Sequence, residues 1–260
     1  MELQAADQII ARIEEAIGQH PGGVLAFDGD GTLWEGDVGE DFFHALVAHG
    51  DFREAARAQM AEEATAHGLA PGGTGKDLAT RLYQDYLAGL FPEERICELM
   101  TWACADWTER EVNDFAGNVL ARIGLEGRLH KEVRRILKWA EAQNGRLDVF
   151  LVSASPRPII DHAARFLGLV PANVIAAQPR YEGGRMLADV HRPIPYGPGK
   201  VLHLREKVGP ARPVYAAFGD NAFDIALLSE AFIPVAVRPK PRLRERAGEV
   251  KMLVEIAREN

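Results

Sequence analysis

The sequence predicts an α/β fold: a Rossmann-like, doubly wound parallel sheet core with an inserted α-helical cap. Three observations predict it. Short apolar runs recur at 24–27, 147–152, 173–177, 214–218 and 232–237, the pattern of strands covered on both faces. Helical segments separate the later runs, as parallel neighbours require. The stretch from 36 to about 126 breaks that alternation, reading as helix after helix with almost no strand-like run.

Taken in order, residues 2–19 place Ile9, Ile10, Ile13 and Ile17 on one face of an amphipathic helix, which Pro21-Gly22-Gly23 stops. Val24-Leu25-Ala26-Phe27 follows as a buried strand and ends abruptly in Asp28-Gly29-Asp30-Gly31-Thr32. Helices are expected near 40–49, 51–67, 76–89, 92–105 and 109–122, punctuated by Gly50, Gly68, Pro71-Gly72-Gly73 and Pro92. A helix at 129–143 precedes a strand at 147–152. Ser155-Pro156 is expected to cap and open the next helix. A strand at 173–177, a hairpin across 178–190 turning at Gly183-Gly184, and a helix from Gly199 come next. The strands 214–218 and 232–237, with a helix between them, complete the core. The expected domains are therefore a core of 1–35 and 127–260 and a cap of 36–126.

A chain of 260 residues has room for a core plus such an insert, and 47% apolar residues suffice to bury it. The net charge of −8 argues against a nucleic-acid partner, whose binding surface is basic. No run approaches the roughly 18 apolar residues of a membrane span, and the first twenty lack the features of a signal peptide. A cytoplasmic protein is expected. Cys97 and Cys104, the only cysteines, read as core residues rather than a disulfide or metal pair. His44, His130, His162 and His191 lack metal-ligand spacing and read as structural or exposed. Oligomeric state is not legible.

In a doubly wound sheet, ligands bind beyond the carboxyl ends of the strands. Those ends carry Asp28 and Asp30, Ser153, and Gly219-Asp220-Asn221-Ala222-Phe223-Asp224, while Lys200 opens a helix. Four acids, a hydroxyl and a lysine converging on one edge suit phosphoryl transfer through an aspartyl-phosphate. Asp28 would attack phosphorus; Asp30 would protonate the leaving oxygen and then deprotonate water. Crowded carboxylates facing a phosphate dianion call for a hard cation, and Mg²⁺ fits best. Asp28, the backbone carbonyl of Asp30, and Asp220 would hold it. Ser153 and Lys200 would bind the transferring phosphoryl group, and Asp224 would orient Lys200 or the metal's waters.

The segments AFDGDGTLW, VFLVSAS, GPGKVLHL and AFGDNAFDIALL, in that order, resemble the four motifs of haloacid-dehalogenase-superfamily phosphatases. The resemblance covers roughly 1–35 and 127–260, and it implies the same roles for Asp28, Asp30, Ser153, Lys200, Asp220 and Asp224. The insert between the first two motifs is similar to the cap of the phosphoserine phosphatase-like subfamily. Two positions depart from that subfamily: Phe223 stands where asparagine is usual, with Asn221 as a substitute phosphate contact, and Gly31 stands where serine is common.

Competing readings of the motifs fail. An EF-hand starting at Asp28 would need glycine at 33 and glutamate at 39, where Leu33 and Gly39 stand. A nucleotide-binding loop ending at Lys76 would need glycine at 70 and Ser or Thr at 77, where Ala70 and Asp77 stand.

The expected substrate is a small phosphorylated metabolite, with phosphoserine the first single choice. Glu35, Asp37 and Glu40, following the first motif among aromatic residues, could receive an ammonium group, although Glu40 also suits a plain helix start. Trp34, Trp102 and Trp107 keep a phosphocholine-type substrate open beside their packing role. Rival readings are a phosphomutase, a dehalogenase, which needs neither Asp30 nor Asp220, and a non-catalytic phosphate-binding protein.

Overall fold

The computed structural model describes residues 1–143 and 145–259. In chain order the elements are β1 (Glu2–Gln4), α1 (Ala6–Gln19), β2 (Val24–Phe27), α2 (Val38–His49), α3 (Glu54–Ala66), α4 (Gly75–Leu87), α5 (Glu93–Trp102) and α6 (Glu109–Ile123). Then follow α7 (Lys131–Glu141), β3 (Asp148–Pro156), α8 (Arg157–Phe166), β4 (Val174–Ala177), β5 (Pro179–Glu182) and β6 (Arg185–Val190). The chain ends with α9 (Pro198–Val208), β7 (Val214–Gly219), α10 (Ile225–Ser229), β8 (Ala231–Ala236), α11 (Pro241–Glu245) and β9 (Val254–Ile256).

Seven strands form one parallel sheet in the order β1-β9-β8-β7-β2-β3-β4, while β5 and β6 pair antiparallel as a separate hairpin. The expected α/β class is the observed one. Strand β2 lies inside the sheet between β7 and β3, where all four of its residues, being apolar, are covered on both sides. One sheet face packs Val24, Ala26, Leu204, Leu227 and Leu243. The other packs Leu25 and Phe27 into an apolar cluster that also takes in Ile9 and Ile13 of α1 and runs on through Phe42, Leu82 and Val119 of the inserted helices. The inserted helices α2–α6 therefore share a core with the sheet.

Capping explains several helix starts. Thr74 and Thr108 each accept a hydrogen bond from a backbone N–H in the first turn of α4 and α6, and Asp77 and Glu111 reciprocate. Asp37 caps α2 by accepting from the Glu40 N–H at 2.8 Å. Gly50, in the left-handed region at φ 82°, closes α2.

Three expectations need correction. The first helix begins at Ala6, because Glu2–Gln4 pair with Val254–Ile256 as an edge of the sheet. Strand β3 continues through Ser155 to Pro156, and α8 starts without a side-chain cap, so Ser155 is not an N-cap. Cys104 is buried as expected, but Cys97 is half-buried and borders the cavity described below; both thiols are free.

Candidate active site

Asp28 follows β2 directly and is 2% exposed. Its Oδ1 accepts from the Lys200 ammonium at 2.5 Å, and its Oδ2 accepts from the Thr32 hydroxyl at 3.1 Å. Lys200 reaches this point from the first turn of α9, fully buried, and its ammonium also donates to Asp224 Oδ1 at 2.6 Å. Burial by itself would lower the Lys200 pKa; Asp224 and Asp28 outweigh it, and the ammonium holds its proton more tightly than a free lysine. Burial pushes the Asp28 carboxyl up, Asp224 and Asp220 add to this, and Lys200 opposes them.

Asp220 follows β7, the neighbour of β2, which is why the two acids meet. Asp28, Asp220 and Asp224 each offer a carboxylate oxygen within 4.8 Å of the others. Burial and Asp224 raise Asp220 to about 6, against the pull of Lys240. Lys240, in the loop after β8, donates from its ammonium to Asp220 Oδ2 at 2.9 Å and from its backbone N–H to the Asp220 carbonyl at 2.8 Å. Asp220 Oδ1 is buried with no hydrogen-bond partner among the described residues. A buried, unpartnered carboxylate oxygen is costly in a dry protein, and here it points to a cation. The all-oxygen donor set suits a hard ion such as Mg²⁺.

Gly31 makes this approach possible. Its φ is +77°, and a Cβ there would lie 2.1 Å from Asp220 Oδ2, so serine would not fit this arrangement.

The Asp30 side chain turns away from the three clustered acids. Its Oδ1 accepts from Trp34 Nε1 at 2.8 Å and the Val38 N–H at 2.7 Å. Its Oδ2 accepts from the Ser155 hydroxyl at 2.7 Å and the Ser153 hydroxyl at 3.4 Å. Ser153 in turn accepts from the Ser155 N–H at 3.0 Å. Sequence reasoning chose Ser153 over Ser155, but the continued strand carries both serines to the site.

Asp224 receives the Asp220 and Asn221 N–H groups on Oδ2 at 3.1 and 3.0 Å. It thus positions Lys200 and the loop that bears Asp220. Asn221 caps the following turn through Oδ1, 2.7 Å from the Ala222 N–H. The Phe223 ring covers the Lys200 ammonium at 4.8 Å from its centroid.

A cavity of about 430 Å³ opens on Asp28, Asp30, Ser153, Ser155, Asn221 and Lys240. Its lining also includes Asp37, Glu40, Glu93, Tyr86, Tyr196 and Phe223. Glu35 is exposed and does not border the cavity, so it leaves the candidate set. Trp34, Trp102 and Trp107 are buried packing residues outside the lining, which removes them as a cation cage. Cavities of about 420 and 770 Å³ elsewhere contain none of Asp28, Asp30 or Asp220.

Sequence reasoning missed Lys240, Ser155 and Glu93. The rule that singled out the other strand ends applied equally to Arg238-Pro239-Lys240 after the fifth apolar run. Glu93 carried no local signal, because helix α5 is brought over the site by the insert's own packing.

No curated protein sequence matches the chain. Among solved structures, a protein with unknown function from Bordetella pertussis Tohama I aligns at TM-score 0.70 and 20% identity, over 90% of this chain and 98% of its own. A conserved, functionally unknown protein from Anaerococcus prevotii DSM 20548 aligns at TM-score 0.65 and 15% identity, over 95% and 91%. A substrate-bound phosphoserine phosphatase aligns at TM-score 0.51 and 16% identity, over 89% and 92%. At such identities the likeness shows the fold alone. The profile of the haloacid dehalogenase-like hydrolases, however, matches residues 25–229, most of the chain, and the chain belongs to that family.

Proposed function

We propose that the protein is a Mg²⁺-dependent phosphatase that hydrolyses a small phosphomonoester through an aspartyl-phosphate on Asp28. One observation carries this reading: a buried carboxylate that borders a cavity is gripped by a buried lysine and clusters with Asp220, one of whose oxygens is unpartnered among the described residues. Helices α2–α6, within residues 36–126, serve as the cap over it.

In the first step an Asp28 carboxylate oxygen attacks phosphorus, and the ester P–O bond breaks as the Asp28–phosphorus bond forms. Asp30 gives its proton to the departing alkoxide, and the free alcohol leaves. In the second step Asp30 takes a proton from water, whose oxygen attacks phosphorus and releases inorganic phosphate, regenerating Asp28. The Ser155, Ser153, Trp34 and Val38 donors keep the Asp30 carboxyl oriented for both transfers. Lys200 offsets negative charge on the phosphoryl oxygens while Asp224 holds it in place, and Ser153 and Asn221 contact the same group. Asp28, Asp220 and the backbone carbonyl of Asp30 would hold Mg²⁺, which when bound would shield the phosphate from the carboxylates. The Ser153 and Ser155 hydroxyls can rotate to accept as well as donate, so Asp30 Oδ2 can carry the proton that is given in the first step and regained in the second.

The test is phosphate release from a phosphomonoester panel with Mg²⁺. Excess EDTA should abolish it and added Mg²⁺ restore it. Asp28→Asn should cut turnover by at least about 10³-fold, since an amide is a poor nucleophile, while circular dichroism stays unchanged. Turnover near the original level in that variant would sink the assignment. Activity that persists in EDTA would favour a carbon-centred hydrolase; interconversion of phosphosugars without free phosphate would favour a mutase. Inertness toward the whole panel would favour a binding protein.

A further inference from the structure

Beyond Asp28 and Asp30, the lining of the site cavity is one-sided in charge. Asp37 and Glu40 come from the start of α2 and Glu93 from the start of α5, so two inserted helices deliver three carboxylates to one small space. Among the described lining residues the only cationic side chain is Lys240, and its ammonium is bound to Asp220 at the phosphate end. Arg242 approaches Glu93 at 3.7 Å, but its side chain is 77% exposed and water screens it. Burial, then Asp30 and Glu40, push the Asp37 carboxyl up, against the Glu40 N–H and Lys240.

Tyr86, Tyr196 and Phe223 border the same space, and Tyr196 and Phe223 lie against each other with centroids 5.2 Å apart. Aromatic faces beside carboxylates attract an alkylammonium group. With phosphorus at Asp28, the alcohol portion of a small ester extends into this space. A carboxylate on that portion would meet Glu40 and Glu93, while the one lining cation, Lys240, already serves Asp220, an arrangement that costs affinity.

Resting on the phosphatase reading, we propose that the substrate is the phosphate ester of an amino or quaternary-ammonium alcohol without a carboxylate, and that Glu93 helps select it. Phosphoethanolamine and phosphocholine represent the class; phosphoserine lies outside it. The products are the free amino alcohol and inorganic phosphate, formed by the two steps given above.

The experiment measures kcat/KM of the full chain with Mg²⁺ for phosphoethanolamine, phosphocholine, phosphoserine, glycerol 3-phosphate and p-nitrophenyl phosphate. At least one of the first two should exceed both phosphoserine and glycerol 3-phosphate by about tenfold or more, the scale of a desolvated cation contact. Glu93→Gln should shrink that preference, raising KM for the cationic ester more than for glycerol 3-phosphate. The ranking by the unaltered protein tests the idea even if this variant folds poorly. Phosphoserine or glycerol 3-phosphate matching the cationic esters would overturn the inference, as would Glu93→Gln affecting both classes equally. In those cases turnover of p-nitrophenyl phosphate would leave the phosphatase reading standing. No phosphate from any of the five would overturn both.

Discussion

At the scale of single residues, the site shows how burial sets chemistry. Lys200 keeps its proton in a dry setting because two carboxylates touch it, and Asp28 is held by that lysine among acids that would otherwise repel it. His130 illustrates the opposite balance. It is buried, with Nε2 3.2 Å from the Gly31 carbonyl, and burial, then Arg238, lowers its pKa against the pull of that carbonyl. A histidine with a depressed folded pKa contributes its full share of stability above the unfolded value of about 6.5. As pH falls below that value, the unfolded chain gains a proton that the folded one resists. The melting temperature should therefore fall between pH 7.5 and 5.5, and His130→Gln should flatten that slope. An unchanged slope would show that other groups govern it.

At the scale of elements, the question is what keeps α5 over the cavity. Glu98 of α5 is 4% exposed and accepts two hydrogen bonds from Arg192, in the loop after β6, at 3.0 and 2.8 Å. Arg95 also binds Glu98 and bridges to the buried Glu63 of α3. Removing one cation leaves Glu98 buried with a single partner. Arg192→Met should cost about 1–3 kcal/mol in denaturant unfolding, the range for an under-satisfied buried polar group. It should also raise KM, because Glu93 and Cys97 share that helix and border the cavity. A loss under 0.5 kcal/mol, the scatter of ordinary surface substitutions, would show that Arg95 alone suffices.

At the scale of the whole molecule, one apolar cluster joins a sheet face, α1 and the inserted helices. A shared core couples the stability of the parts that bury it. Thermal unfolding followed by far-ultraviolet circular dichroism and by tryptophan fluorescence should give coincident transitions. The tryptophans suit this comparison, since Trp102 and Trp107 lie in the insert and Trp34 and Trp139 in the proposed core. Two separated transitions would show the segment 36–126 to be an independent body, and would favour a cap that moves freely.

The apolar runs and their helical spacers were enough to determine five of the sheet's seven strands and the inserted helices, because both depend on short-range periodicity. The acids at the strand ends were legible too: a strand covered on both faces leaves its first polar residue at the rim. Three things needed the folded chain. The pairing of Glu2–Gln4 with Val254–Ile256 joins the two ends of the chain and leaves no local trace. The continuation of β3 past Val152 brought Ser155 onto Asp30, against a local pattern that suited a helix cap. The acidic lining of the cavity that Asp28 borders, with Glu93 in it and Glu35 outside it, exists only because inserted helices pack against the sheet. Chemistry repeated at strand ends can be read along the chain; a binding wall assembled from separate helices is a product of long-range packing.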